Sequence, residues 1–144
     1  MFLWRRKLPN CTHERHTSTA VACGGVRDAA AVIAGGAVGT LARAGVAEAL
    51  PLHPGTWPWA TFLVNIAGSL ILGWVVIAKA HWRPFVGTGF CGALTTFSTM
   101  QLELLRMLDG SHIGLAAGYA AASIVVGFLA VAAATNLVRR ASFT

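Results

Sequence analysis

Acidic side chains are scarce in this chain: five Asp and Glu residues stand against eleven Lys and Arg in 144 residues. Charged residues of both signs make up only 11% of the sequence, against roughly 25% in an average soluble protein. A chain this poor in charge lacks the side chains that solvate a soluble surface. Hydrophobic residues make up 56%, and the mean hydropathy is +0.64. The composition therefore predicts a membrane protein, and the length is enough for one domain.

Other absences narrow the function. The sequence shows no nucleophile–base pair, no paired carboxylates and no metal-ligand cluster, so an enzyme is not expected. The net charge of +6 does not come from a basic patch with interleaved aromatic residues, so no nucleic-acid partner is expected. The three cysteines have no metal-binding spacing, and we interpret Cys11 and Cys23 as tail thiols and Cys91 as a small buried residue.

Residues 1–28 form a polar, basic leader. No apolar run of signal-peptide length follows its Arg5-Arg6-Lys7 cluster, so the leader does not have the pattern of a secretory signal. We interpret it as a largely disordered cytoplasmic tail, or in part as residues upstream of the true start.

Four apolar segments follow, at about 29–50, 57–78, 85–107 and 113–138. Each has about 20 residues or slightly more, which is the length an α-helix needs to cross ~30 Å of hydrocarbon. The links between them are too short to be domains. The sequence therefore predicts an all-α membrane protein in which residues 29–140 form four transmembrane helices.

The distribution of Lys and Arg predicts the orientation. Four spans place the N-terminus, the second link and the C-terminus on one side, with Arg5, Arg6, Lys7, Arg15, Arg27, Lys79, Arg83, Arg139 and Arg140. The opposite side has only Arg106, because Arg43 lies inside the first span. The bias remains five to one when only Arg27 and later residues count. Both termini are therefore expected in the cytoplasm.

Polar residues inside apolar spans are candidate sites, because burying them in lipid is costly. Gly35, Gly39 and Arg43 recur every four residues and share one helix face, where small residues let another backbone approach. Arg43 then points to a helix interface or a wet vestibule, unless its long stem carries the charge to the bilayer surface. Asn65 in the second span is equally compatible with a ligand role and with hydrogen bonding between helices.

The third span is the most unusual. Gly87, Gly89 and Gly92 lower its helix propensity, and hydroxyl groups follow at Thr95, Thr96, Ser98 and Thr99. A mid-membrane break exposes carbonyl groups that can hold a cation, while hydroxyls and aromatic edges suit an anion. The alternative is an unbroken span packed through small residues. In the fourth span, Tyr119, Ser123 and Gly127 form a weak polar stripe on one face.

Together these segments resemble the Fluc (CrcB) family of fluoride channels. The matching parts are "GGAVGTLAR", "TFLVNIAGSLILG" and "GTGFCGALTTFST", the last followed by Glu103. The resemblance implies a passive fluoride-selective channel in the cell membrane that exports fluoride from the cytoplasm and lowers its toxicity. It also implies a dual-pore dimer in which two four-span subunits, identical or paralogous, pack antiparallel.

The resemblance implies roles for individual residues. A structural sodium ion at the dimer centre would be held by backbone carbonyls of Gly92 and Thr95. Arg43 would lie in a vestibule, and Glu103 follows the break at the vestibule or interface. The fluoride pore would be lined by Asn65, Phe97, Ser98, Thr99, Met100, Tyr119 and Ser123.

Two residues depart from the family pattern. Met100 stands where a second pore phenylalanine is usual, and Gly127 where a third hydroxyl is common. Methionine lacks the positive ring edge, so one pore of a dimer could be silent. This leaves open a partner subunit in a heterodimer that is non-conducting or only half-competent. A small multidrug-resistance-type exporter is a further alternative, for which Glu48 is the only candidate carboxylate, at the end of the first span.

Overall fold

The chain is helical in the computed structural model, which describes residues 17–78 and 80–141, with side chains for 25–77 and 81–141. The helices are α1 (Thr17–Ala49), α2 (Trp59–Ala78), a 3₁₀ turn (Ala80–Trp82), a π-helix (Arg83–Cys91), α3 (Gly92–Leu94), α4 (Phe97–Asp109) and α5 (Ile113–Ala141). Within these ranges there is no strand. The all-α prediction is confirmed for this part of the chain.

Three helical stretches in the described part are long and apolar enough to cross a membrane: Gly25–Ala49, Trp59–Ile77 and Ile113–Ala141. Large apolar side chains cover their outer surfaces; Ile33 and Leu41 on α1 are each 73% exposed, and Phe128 on α5 is 72% exposed. A soluble surface does not carry such a continuous apolar cover. The chain is therefore a multi-pass membrane protein.

Helix α1 is longer than expected. It begins at Thr17, whereas composition places the start of the first span near residue 29. Residues 1–16 of the predicted tail lie outside the described residues. The upstream extension includes Ala20 and Ala22, and alanine has the highest intrinsic preference for a helix.

The predicted third span is divided, so it is not among the three long helices. The π-helix and α3 run from Arg83 to Leu94, and α4 starts at Phe97. Between them Thr95 (φ −74°, ψ 152°) and Thr96 (φ −148°, ψ 116°) are extended. The glycines do not themselves form this break, because Gly92 keeps helical angles of φ −62° and ψ −32°. The interruption predicted from the glycines therefore lies three residues beyond the last of them.

The glycines serve helix packing instead. Gly35 lies against the Phe85 carbonyl and Gly39 against the Phe90 carbonyl, and a Cβ atom at Gly89 would lie 2.6 Å from the Val32 carbonyl oxygen. Backbones this close leave no room for side chains, so α1 and the π-helix pack directly. The four-residue spacing on α1 correctly predicted such a contact. On the other side of the bundle, α2 packs on α5, and α4 also contacts α5.

Candidate functional site

The break after α3 is bound to α2 by one side chain. The Thr96 backbone N–H donates to Asn65 Oδ1 at 2.8 Å, and Asn65 Nδ2 donates to the Thr96 carbonyl at 3.2 Å. The amide therefore satisfies both polar groups of an extended residue that has left the helix. Of the two roles expected for Asn65, hydrogen bonding between segments is directly visible. The second N–H of its amide is not used in this pair.

Thr96 also starts the next helix. Its hydroxyl accepts from the Thr99 backbone N–H at 3.2 Å and donates to the Thr99 hydroxyl at 2.9 Å, and the Ser98 hydroxyl lies 3.4 Å away. This is the N-cap arrangement that satisfies a free amide in the first turn of a helix. The run of hydroxyl residues is thus needed to restart the helix inside an apolar bundle.

Backbone carbonyls on the N-terminal side of the break lose their normal helical donors, because α4 starts anew at Phe97, and Gly92 and Thr95 are two of these residues. In an unbroken helix the Thr96 N–H would bond to the Gly92 carbonyl, but it bonds to Asn65. In the same way the Thr99 N–H would bond to the Thr95 carbonyl, but it bonds to the Thr96 hydroxyl. Gly92 is exposed, and a Cβ atom there would meet nothing within 4 Å. The family resemblance implies a sodium ion at the carbonyls of Gly92 and Thr95, and oxygen ligands suit a hard cation.

A buried carboxylate lies on the inner side of α4. Glu103 is 5% exposed, with Thr61 donating to Oε1 at 2.5 Å and Tyr119 donating to Oε2 at 2.8 Å. Tyr119 is fully buried and packs edge-on against Trp57, with ring centroids 5.4 Å apart. Each oxygen of the Glu103 carboxyl group therefore has one hydroxyl partner, as buried polar groups need. This joins α2, α4 and α5 at one point.

Arg43 lines a cavity of about 290 Å³ between α1, α2 and the restarted helix. The polar residues around this cavity are Thr40, Arg43, Thr61, Thr96 and Thr99. Arg43 is half-buried and forms part of the wall of this cavity. A cationic residue therefore lies in the same cavity as the hydroxyls at the break. Glu48, the candidate carboxylate of the exporter alternative, is exposed near the end of α1.

A second cavity, of about 350 Å³, opens on the outer face of the break. It is lined by Asn65, Gly68, Ser69, Thr95, Phe97 and their neighbours. Phe97 is 69% exposed, although it follows directly after the buried Thr96. In a single chain Phe97 therefore faces outward, and it is separated from the Glu103 side of the bundle.

Three other residues predicted for the pore, Met100, Tyr119 and Ser123, have their side chains inside the bundle. Met100 is 9% exposed and packs with Met107, Ala116 and Tyr119 in a small core. The Ser123 hydroxyl is buried and has no hydrogen-bond partner in the described part of the chain. An unpaired buried hydroxyl costs free energy unless a ligand or water satisfies it. The structure thus divides the predicted set three ways: Met100, Tyr119 and the Ser123 hydroxyl are buried, Asn65 and Thr99 are half-buried at the break, and Phe97 and Ser98 are exposed.

Sequence reasoning missed Thr61 as a partner of Glu103. The two are 42 positions apart, and Thr61 is one hydroxyl in an otherwise apolar stretch. A signal was present, because Thr61 and Asn65 are four residues apart and share a face of α2. Of the cysteines, Cys91 is buried as expected, while Cys11 and the side chain of Cys23 lie outside the described residues.

Comparison with known proteins identifies the family. The model of the CrcB-like proteins, described as Camphor Resistance (CrcB), matches residues 30–135. The chain belongs to the CrcB family. It is 52% identical over 121 residues to the fluoride-specific ion channel FluC 1 of Mycolicibacterium paratuberculosis, covering 79% of this chain and 92% of the relative.

More distant relatives carry the same kind of name. Fluoride-specific ion channel FluC 1 of Mycobacterium tuberculosis is 48% identical over 121 residues, with 79% of this chain and 92% of the relative covered. Fluoride-specific ion channel FluC of Thermococcus onnurineus is 41% identical over 107 residues, with 69% and 86% covered. This CrcB family is one of ion channels, so the expectation that the chain is not an enzyme is confirmed.

Proposed function

We propose that this CrcB protein is a passive, fluoride-selective anion channel that exports fluoride from the cytoplasm and lowers its toxicity. The observation that carries the proposal is the match to fluoride channels over 92% of a relative's length, at 52% identity. The match covers both sides of the break as well as α1, α2 and most of α5. A passive channel needs no coupled carboxylate, so export follows the fluoride gradient and the membrane potential.

The donors around the break suit a small, strongly hydrated anion. Fluoride must exchange its water for hydrogen-bond donors, and the free N–H of Asn65, the hydroxyls of Ser98 and Thr99, and the Ser123 hydroxyl are of the right kind. Tyr119 lies on the same α5 face as Ser123, four residues away. Phe97 would contribute the positive edge of its ring. Met100 has no such edge, so it would act in the pore wall by packing.

We further propose an antiparallel dimer of two four-span subunits, in which the α3–α4 region acts as the third span. The outward position of Phe97 supports this assembly. In such a dimer, the exposed Phe97 ring of one subunit would pack against the side of the second subunit on which that subunit's Glu103 lies. A sodium ion at the dimer centre would be held by the carbonyls of Gly92 and Thr95, which have lost their helical donors. When bound, it would supply a fixed positive charge that offsets the cost of an anion in low dielectric.

The orientation proposal rests on charge. The strong excess of Lys and Arg on the side of the termini supports a dominant orientation with both termini in the cytoplasm. Arg43 would then lie in the vestibule of the opposite side and attract the anion.

A partner-subunit function is the second candidate, and the same charge bias favours it. An antiparallel homodimer requires one sequence to insert in both orientations, whereas a bias of five to one favours a single orientation. Accessibility of tags on the two termini, in cells expressing this chain alone, distinguishes the cases. Termini on one face only, together with no fluoride resistance, support a heterodimer. Termini on both faces with resistance support the homodimer.

The proposed function is tested in cells that lack their own fluoride exporter. Expression of this chain should restore growth in fluoride and lower the fluoride retained by the cells. Asn65→Asp expressed at the same level is the matched negative control. If cells that express this chain together with a paralogue remain sensitive to fluoride, that result would contradict a channel role.

A further inference from the structure

A third cavity lies away from the break, where the α1–α2 and α4–α5 links meet. It has a volume of about 390 Å³, and we call it the histidine cavity. Its lining residues are Leu52, His53, Pro54, Gly55, Thr56, Glu103, Arg106, Met107, Gly110 and His112. His112 is closely framed, since Cβ atoms at Gly55 and at Gly110 would each lie 3.1 Å from its ring. Both glycines thus leave room for the imidazole.

Most of the ionisable groups at this end of the molecule line the histidine cavity. Arg106 is the only Lys or Arg in the links and helix ends opposite the termini, and it lines the cavity. His53 and His112, one from each link on that side, line it as well. Glu48 and Asp109 are also on this side and are exposed, but neither lines the cavity. The groups that set its charge are therefore His53, Glu103, Arg106 and His112.

The histidine cavity adjoins the cavity of about 290 Å³ that Arg43 lines, which we call the Arg43 cavity. One hydrogen bond lies between the two cavities. Thr61 lines the Arg43 cavity and Glu103 lines the histidine cavity. Thr61 donates to Glu103 at 2.5 Å, so this pair separates the two cavities. Tyr119 holds the other oxygen of the same carboxylate. An ion in the histidine cavity is thus one side-chain pair away from the hydroxyls at the break.

We propose that the histidine cavity is an anion-binding mouth, occupied when His53 and His112 are protonated. Whatever the charge of Glu103, protonation of both imidazoles makes the cavity more positive by two unit charges. The ligand is a small inorganic anion, and its identity as fluoride rests on the proposed function.

The sign of the pH dependence follows from the imidazoles. Lowering the pH adds protons to imidazoles and never removes them, so the charge of the cavity becomes more positive as the pH falls. One unit charge several ångströms from an anion in water changes its local concentration about threefold, and charged clefts raise association further. Anion occupancy and fluoride entry from this side should therefore rise as pH falls.

Fluoride flux in liposomes tests the proposal, with the same pH on both sides. Undissociated hydrogen fluoride crosses bilayers unaided, so the leak of protein-free liposomes is subtracted at each pH. The unaltered chain should conduct about threefold to ninefold faster at pH 5.5 than at pH 7.5, for one or two added charges, and His53→Gln/His112→Gln should show a flat profile. His81→Gln, an exposed histidine between α2 and the π-helix, is the matched control and should behave like the unaltered chain. A flat profile in the unaltered chain, or a threefold rise in the double variant, overturns the proposal.

A binding measurement separates this proposal from the proposed function. Nuclear magnetic resonance of ring-labelled histidines in detergent gives a titration midpoint for each imidazole with and without sodium fluoride at constant ionic strength. Anion binding to the protonated form should shift the midpoints of His53 and His112 upward and leave that of His81 unchanged. An upward shift without any fluoride flux would support the anion mouth while contradicting the channel. Midpoints that move with neither fluoride nor chloride overturn the anion mouth, whatever the flux.

Discussion

At the level of single residues, the Asn65 amide replaces the hydrogen bonds that a helix would supply to Thr96. It accepts from the Thr96 N–H and donates to the Thr96 carbonyl, so the extended residue is satisfied away from water. An unpaired buried backbone group costs about 1–3 kcal/mol, so this pair permits the break inside the bundle. A structural role and an ion-binding role for Asn65 are compatible, because one N–H of its amide is left over.

Asn65→Asp tests both roles together. Aspartate keeps an acceptor for the Thr96 N–H, but it cannot donate to the Thr96 carbonyl and adds a negative charge beside the proposed anion path. We expect fluoride flux to be lost, with the folded state destabilised by about 1–3 kcal/mol but still eluting as the assembled species in gel filtration. Asn136→Asp, at an exposed position of α5, is the control and should keep its flux. Full flux in Asn65→Asp would leave Asn65 a purely structural role.

Tyr119→Phe tests the buried carboxylate. The change removes one of the two hydroxyl donors to Glu103 while keeping the ring that packs against Trp57. Because one carboxylate oxygen then loses its partner, we expect a loss of about 2 kcal/mol in stability, measured by unfolding in detergent. Thr135→Val removes a hydroxyl bonded only to a carbonyl of its own helix, and it should change stability by less than about 0.5 kcal/mol. Equal effects of the two variants would contradict a special role for the Tyr119–Glu103 bond.

Because polar residues in apolar spans are rare, the sequence could mark Asn65 and Tyr119 individually, while Glu103 was indicated by the family resemblance. It could not show that Thr61 completes the Glu103 site, since that contact depends on how α2 packs against α4. Nor could it show that Phe97 turns outward, because its direction depends on the angle at which α4 restarts.

At the level of helices, the interrupted third span combines three backbone geometries. A π-helix occupies Arg83–Cys91, one α-helical turn follows, and α4 begins after two extended residues. The glycines and hydroxyls in the sequence left open whether the span is interrupted, and they did not indicate an interruption at Thr95 and Thr96. The π geometry has no simple composition signal, although Gly89 within it packs closely against α1.

Gly39→Ala tests the contact between α1 and the π-helix. A Cβ atom at Gly39 would collide with the Phe90 carbonyl, so the two backbones would have to separate, at a cost of about 1–3 kcal/mol. Gly45→Ala is the matched control on the same helix, where a Cβ atom would meet nothing within 4 Å. That variant should be neutral or more stable by up to about 1 kcal/mol, because alanine favours helix. Thermal unfolding in detergent measures both, and a Gly39→Ala variant as stable as Gly45→Ala would argue against the close packing.

At the level of the whole molecule, the fold presents a polar face to its surroundings around the break. Gly92, Thr95 and Phe97 line an open cavity there, while most other outward-facing side chains on the long helices are apolar. A lipid-facing surface does not favour exposed carbonyls, so this face is where the proposed second subunit would pack. The membrane character followed from hydropathy alone, whereas the proposed subunit contacts depend on a surface that no sequence periodicity describes.

Gly92→Leu tests that interface. Within a single chain the new side chain has open space, so the helices should fold as before by circular dichroism. A partner packed over the break would collide with it, and we expect the dimer fraction in cross-linking to fall at least about tenfold. Gly114→Leu, also at an open position, is the control and should leave dimerisation unchanged. A Gly92→Leu protein that remains dimeric would place the subunit contact elsewhere.

The central claim, that this chain conducts fluoride selectively, is tested most directly by ion efflux from liposomes containing only this purified protein. A potassium ionophore clamps the voltage, and ion-selective electrodes record fluoride and chloride release from matched preparations. We expect fluoride to leave rapidly and chloride to remain almost entirely inside. Equal release of the two anions would contradict selectivity, and fluoride release no faster than from protein-free liposomes would contradict conduction by this chain alone.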